Sequence, residues 1–257
     1  MENGSGGIGC EKRDDVIYIT LDSPPLNILT RVLMDAIADE LERAAADSSV
    51  KAIALRSDGK AFSGGADVGE HRPEEVGKMI ASFSRLFHRL DELEVPVVAA
   101  VNGAALGGGF ELAMMADIIL ATENARFGQP EIRLGFFPPV GIVRLAELAG
   151  TARAVEITAT GRTYSAEEMK EYGVVSRLIG ADQLDEATEE VLDDLRRASP
   201  LVLRINTGTL KRLRGRPFAE ALSEAERVFL EELMATEEPV EGIASFYEKR
   251  PQVWKNR

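Results

Sequence analysis

The hydrophobic and polar positions of this chain switch repeatedly between two periods. Val16–Leu21 carries the alternation of a strand. The Pro24-Pro25 pair then turns the chain. Thr30 stands where a helix N-cap would, and Leu33, Ile37, Leu41 and Ala44 form one helical stripe behind it. Residues 50–55 read as a short apolar strand, followed by a glycine-rich loop over 57–67. Pro73 opens a helix reaching about residue 94, with Val76, Ile80, Phe83, Phe87 and Leu90 facing inward. Pro96 stops it, and Val97–Val101 is a buried strand. A short helix starts near residue 108, and 117–121 is another strand. Strands alternating with helices predict an α/β fold.

Beyond Gly150 the pattern becomes mainly helical. A short strand interrupts it within 173–179. Helices are expected over 188–199, 201–213, 217–234 and 239–249. Val228, Phe229, Leu230 and Leu233 give the third of these a broad apolar face. Such a face packs on its own core or on another subunit, and the residues alone leave both open.

Composition narrows the classes. A chain of 257 residues that is 45% hydrophobic can bury a large core. A formal charge of −13 argues against nucleic-acid or membrane-surface binding, while leaving room for an anionic small ligand held by a few local cations. A single cysteine, Cys10, excludes an intramolecular disulfide framework. No run of about 18 apolar residues calls for a membrane span. The first residues lack a basic, apolar leader pattern, so the cytoplasm is the expected compartment. No zinc-spaced His/Cys set and no phosphate-binding Gly-Lys-Ser/Thr loop occur, and no metal or redox cofactor is expected.

The chemistry concentrates between residues 102 and 138. Glu111 follows the triplet Gly107-Gly108-Gly109, and Glu131 follows Gln129-Pro130. Glycines let backbone N–H groups approach a ligand, and a glycine run feeding a helix aims those donors outward. Donors beside two carboxylates suit proton transfer around a developing oxyanion. Taken singly, each motif has a plainer reading. Gly64-Gly65-Ala66 reads as a tight loop and the glycine triplet as close helix–strand packing. Glu111 reads as a first-turn dipole partner and Glu131 as a loop charge. Their combination favours a site. Of the two histidines, His88 reads as a structural helix residue and His71 as a candidate for the pocket wall.

These residues resemble the crotonase superfamily, the enoyl-CoA hydratase/isomerase group, over nearly the whole chain. The marks are Lys60-Ala-Phe-Ser-Gly-Gly-Ala-Asp67, the stretch from Val101 to Ala113, Arg126-Phe-Gly-Gln-Pro-Glu131, and the tail from Glu241 to Arg250. The resemblance implies a spiral of ββα units over 1–196 and a helical trimerisation region over 197–257, giving a homotrimer or a hexamer of two trimers. It implies an acyl-CoA thioester substrate, with coenzyme A part of that substrate. Glu111 and Glu131 match the catalytic glutamates of hydratases. Ala66 and Gly108 match the positions whose N–H groups form the oxyanion hole. Contacts to CoA are implied at Ala61, Phe62, Ala66, Asp67 and Lys249, the last across a subunit boundary. Lys249 also reads as a solvated helix-end cation.

A narrower likeness points to cyclic dienoyl-CoA hydratases, which act on cyclohexa-1,5-diene-1-carbonyl-CoA in anaerobic breakdown of aromatic acids. It is carried by the run from Phe127 to Pro139, the segment Gly69-Glu-His-Arg-Pro73 and the stretches 229–235 and 254–257. Where ordinary hydratases have Pro-Gly-Ala-Gly-Gly, this chain has Pro138-Pro139-Val140-Gly141-Ile142. Pro139 cannot donate a backbone hydrogen bond to a catalytic water. Phe136, Phe137 and Pro139, with His71, are expected to wall an apolar pocket suited to a flat ring. A general 2-enoyl-CoA hydratase and an enoyl-CoA isomerase are the alternatives. A non-catalytic RNA-binding or scaffold role fits poorly with the acidic charge and the two retained glutamates.

Overall fold

A computed structural model describes residues 7–257; residues 1–6, where the leader expectation largely rests, lie outside it. The chain is built from a repeated step. Strands β1 (Ile8–Arg13) and β2 (Val16–Leu21) form a hairpin that leads into helix α1 (Arg31–Ala46). Next come β3 (Ala52–Ser57), β4 (Ala61–Ser63) and α2 (Val76–Glu92). Then follow β5 (Val97–Val101), β6 (Ala104–Leu106) and α3 (Gly108–Met114). The last turn is β7 (Ile118–Thr122), β8 (Arg126–Gly128) and α4 (Pro139–Ala149).

In each later turn the long strand joins one sheet and the short strand another. The first sheet runs β1-β2-β3-β5-β7-β10 and the second β4-β6-β8-β9, where β9 is Thr163–Ser165 and β10 is Arg177–Ile179. Pairing is parallel from β2 through β10 in the first sheet and from β4 through β8 in the second. The step between sheets is tight. A Cβ on Gly103 would lie 2.1 Å from the Lys60 carbonyl oxygen, so only glycine lets the two crossovers touch.

The first sheet is buried on both faces, as parallel sheets are. Ile17, Ile19, Ile53, Leu55 and Ala99 pack into the large core with α1 and α2. Val16, Tyr18, Ala52, Ala54, Val98 and Ala100 pack with Leu184, Val191 and Leu192 of α7 (Leu184–Arg196) on the other side. Between α4 and α7 lie α5 (Thr151–Thr160) and α6 (Ala166–Glu171). The chain ends in α8 (Pro200–Leu213), α9 (Phe218–Arg227), a π-helical turn Val228–Leu233 and α10 (Glu238–Glu248).

Several expectations change. β1 and the three-residue strands β4, β6, β8 and β9 went unread, because three residues carry no period, while the short strand expected within 173–179 is β10. Helix α2 starts at Val76 rather than Pro73, and Ile80 is 40% exposed while Met79 and Leu86 fill the core. The helix expected over 217–234 is helical through 218–233, but it changes from α to π winding after Arg227, whose guanidinium pairs with Glu224, Glu231 and Glu232. Of its apolar face only Val228 is buried; Phe229 and Leu230 are exposed. His88 is exposed as well, with Nδ1 against the Ser84 carbonyl. No described helix is long and apolar enough to cross a membrane.

Candidate active site

The loop after β4 is held open by one buried amide. Asn27 is almost fully buried; its Nδ2 donates to the carbonyls of Asp58, Ala61 and Phe62, and its own carbonyl accepts from Ser63 Oγ at 2.8 Å. Ser63 Oγ in turn accepts from Gly65 N–H at 3.2 Å. Leu29 N–H donates to the Gly65 carbonyl and Asp67 N–H to the Leu29 carbonyl. This bridge uses the residues on either side of Ala66 and leaves Ala66 N–H without an acceptor among the described residues.

Gly108 is the first residue of α3, so its N–H has no partner inside the helix. Its Cα lies against Ala66: a Cβ there would sit 3.2 Å from the Ala66 nitrogen. Two free amide donors thus stand side by side. The packing that brings them together needs glycine at Gly109 too, where a Cβ would be 2.5 Å from the Ser63 carbonyl oxygen.

One turn into α3, Glu111 is 2% exposed. Its Oε1 accepts from Val140 N–H at 2.7 Å and Gly141 N–H at 2.8 Å. These are the free amides of the first turn of α4, and a carboxylate suits that helix end. Pro139 is the N1 residue of α4, where a missing N–H costs nothing. The proline run therefore starts a helix whose next two amides hold Glu111, rather than forming an irregular loop.

Glu131 stands in the first turn of the 3-10 segment Pro130–Leu134. Its carboxylate passes over Gly107, where a Cβ would lie 2.7 Å from Oε1 and where φ is +53°. Gln129 is fully buried beside it. In the amide orientation that satisfies both groups, Gln129 donates to both Glu131 oxygens, at 3.0 and 3.1 Å.

Burial pushes the Glu111 carboxyl up to about 8; the nearby Glu131 charge adds to the rise, and the Gly141 and Val140 amides oppose it. Burial also pushes Glu131 up to about 7, against its own backbone N–H. Between those values the two glutamates together hold one proton. That is the state a site needs to accept a proton at one carboxyl and give one from the other. The two carboxyls share that proton as a pair.

A cavity of about 320 Å³ joins these parts. Gly65, Ala66, Gly108, Glu111 and Glu131 line it, and so do His71, Phe136, Phe137 and Pro139. His71 lies with its ring 5.0 Å from that of Phe136 and its Nδ1 2.8 Å from the Asp67 carbonyl. Glu70, in the same short turn Gly69–His71, accepts from Arg31 N–H at 3.0 Å and ties this wall to α1. Phe137 is 64% exposed, so Phe136 and Phe137 form a rim rather than a closed wall. Val68, Met79, Ile80 and Phe83 complete the apolar side and were not foreseen. Ile80 leaves the core because it faces this cavity.

The other four residues expected to contact CoA lie outside this cavity. Ala61 and Phe62 are buried in β4, Asp67 caps the turn at Glu70 through Oδ1, and Lys249 closes α10 in a left-handed conformation. None of the four lines the cavity. Asn27, Ser63, Gln129 and Gly107 support the site and were missed as members of it. Their signal is burial of a polar side chain or a close approach, which pattern alone does not carry. No group of three or more metal-ligating side chains occurs among the described residues.

The profile of the family described as enoyl-CoA hydratase/isomerase matches residues 11–257. The chain belongs to the enoyl-CoA hydratase/isomerase family. It is accordingly an enzyme of the hydro-lyase kind, with the mixed α/β crotonase fold. A protein of Rhizobium meliloti named probable enoyl-CoA hydratase is 38% identical over 250 residues, covering 96% of this chain and 97% of that one. The cyclohexa-1,5-dienecarbonyl-CoA hydratase of Thauera aromatica is 32% identical, covering 96% of this chain and 95% of its own. The crystal structure of an enoyl-CoA hydratase from Bacillus anthracis superposes with a TM-score of 0.93 at 29% identity, over 98% of this chain and all of that one.

Proposed function

We propose that this protein adds water to the conjugated double bond of an acyl-CoA thioester, and that its preferred acyl group is the ring of cyclohexa-1,5-diene-1-carbonyl-CoA. The observation that carries the reading is one cavity holding two unpaired amides and two glutamates whose carboxyls burial has raised toward neutrality. The thioester oxygen accepts from the Ala66 and Gly108 N–H groups. A water held between Glu111 and Glu131 attacks the β-carbon, C2 of the ring. It gives one proton to the basic carboxylate of the pair. The electron pair of C1=C2 moves onto the thioester oxygen, and the charge spreads into C5=C6. The acidic member of the pair delivers a proton to C5, leaving a C1=C6 double bond and a hydroxyl at C2. Renumbered, the product is 6-hydroxycyclohex-1-ene-1-carbonyl-CoA. The coenzyme is part of the substrate, and no step calls for a metal or redox group.

The ring assignment draws support from the apolar wall of Met79, Ile80, Phe83, Phe136 and Pro139, and from the similarity to the Thauera enzyme. It places the protein in anaerobic degradation of aromatic acids, in the cytoplasm. A second reading, general 2-enoyl-CoA hydration, is favoured by the higher identity to the Rhizobium protein named probable enoyl-CoA hydratase. The test is kcat/KM for the cyclic dienoyl thioester against crotonyl-CoA, followed by loss of ultraviolet absorbance. A higher value for the cyclic substrate supports the ring assignment. A higher value for crotonyl-CoA replaces it with the general one.

A further inference from the structure

We infer that Phe83 sets the length of acyl chain this site accepts, by sealing the catalytic cavity from a larger one behind it. This rests on the acyl-CoA reading above. A second cavity, of about 470 Å³, shares two wall residues with the catalytic one, Phe83 and Pro139. It does not touch Ala66 or Gly108. It begins at the glutamate end, since Val140, whose amide holds Glu111, is part of its lining. An acyl chain with its thioester at the two amides and its alkene at the glutamates points toward this second space.

Of the two shared residues, only Phe83 can act as a movable seal. Pro139 is the rigid start of α4, and its displacement would disturb the amides that hold Glu111. Phe83 is a side chain of α2, nearly buried, stacked on Phe87 with ring centroids 4.3 Å apart. Beyond it Phe87, Met115, Val140 and Val143 continue an apolar path.

Arg144, Lys211 and Arg214 also line this cavity, which suggests an anionic chain terminus at first sight. The charges are already matched. Arg144 pairs with Glu147, Arg214 with Asp91 and Glu147, and Lys211 with Asp117 at 3.3 Å. Three cations meet three carboxylates, so the space offers nothing in excess for a carboxylate tail. It fits an uncharged alkyl chain.

Phe83→Ala joins the two cavities. Each methylene that gains an apolar surrounding should favour binding on the order of fourfold. We expect kcat/KM for 2-decenoyl-CoA, relative to crotonyl-CoA, to rise at least about tenfold in Phe83→Ala. Phe83→Leu should shift the same ratio by less, and it covers the case in which the alanine variant fails to fold. Calorimetric affinities of butyryl-CoA and decanoyl-CoA should shift in the same sense. That second readout is independent of turnover: wild type that binds acyl-CoA without hydrating any 2-enoyl-CoA sinks the hydratase reading and leaves the seal standing. The seal is overturned by an unchanged ratio in folded variants, by wild type taking decenoyl-CoA as readily as crotonyl-CoA, or by absence of acyl-CoA binding. A larger gain for a chain of equal length ending in a carboxylate overturns the uncharged assignment.

Discussion

At the residue scale, the two glutamates gain their properties from different neighbours. Glu111 loses water almost completely but keeps two amide donors, and Glu131 is half-buried over Gly107 with Gln129 beside it. Glu111→Gln and Glu131→Gln should each lower kcat by at least about a hundredfold, since a general acid or base contributes roughly 10²–10⁴. Circular dichroism should show both variants folded. Normal turnover in either would remove that glutamate from the mechanism. The pH dependence follows from the same pair. Below about 7 both carboxyls hold protons, and above about 8 neither does. kcat/KM should therefore be bell-shaped with its top between those values, and each glutamine variant should lose the bell. A profile flat from pH 6 to 9 contradicts the pairing.

At the scale of elements, the site depends on where helices begin. The N-terminus of α3 supplies the Gly108 amide and that of α4 supplies the two donors to Glu111. Gly107→Ala tests the approach of Glu131 to the first of these. Its Cβ would press on Oε1 at 2.7 Å from a backbone with φ of +53°. A displacement of about 1 Å can cost on the order of 100-fold, so kcat should fall by about that much while CoA affinity changes little. Unchanged kcat would show that Glu131 has room to move. Most of these elements were legible. The stripe of Leu33, Ile37, Leu41 and Ala44 is buried as its spacing predicts, and Thr30 caps it by accepting from Leu33 N–H. The short strands were not legible, because β4, β6, β8 and β9 are fixed by pairing partners far along the chain.

At the scale of the whole molecule, two properties follow. The C-terminal helices present Phe218, Leu230, Phe246 and Tyr247, each more than half exposed. An apolar surface of that extent favours association. Light scattering at micromolar concentration should give three or six chains. A monomer removes the assembly and with it any contact of Lys249 to a neighbouring substrate. The second property is a stability cost of the site. The Glu111 carboxyl is raised in the folded state, so between about 4.5 and 8 the native protein binds more protons than the unfolded chain. Stability from this group is present at low pH and lost as pH rises toward 8. Glu111→Gln should raise Tm by about 2–6 °C at pH 8.5, with the gain shrinking toward pH 5. A variant less stable than wild type at pH 8.5 contradicts the assigned burial penalty.

The sequence by itself determined the alternation of strands and helices, the helical end and the two glutamates. Each of these is written in local pattern: periods, glycines, prolines and short motifs read within about ten residues. The tertiary structure decided what no local pattern holds. It made Pro138-Pro139 the start of a helix, and moved Ile80 from the core to the cavity wall. It withdrew Ala61 and Phe62 into β4 and brought Gln129 to Glu131. It also put Phe83 between two cavities. Burial, close approach and the sharing of a wall are relations between segments distant in the chain, and they exist only once the sheets have paired.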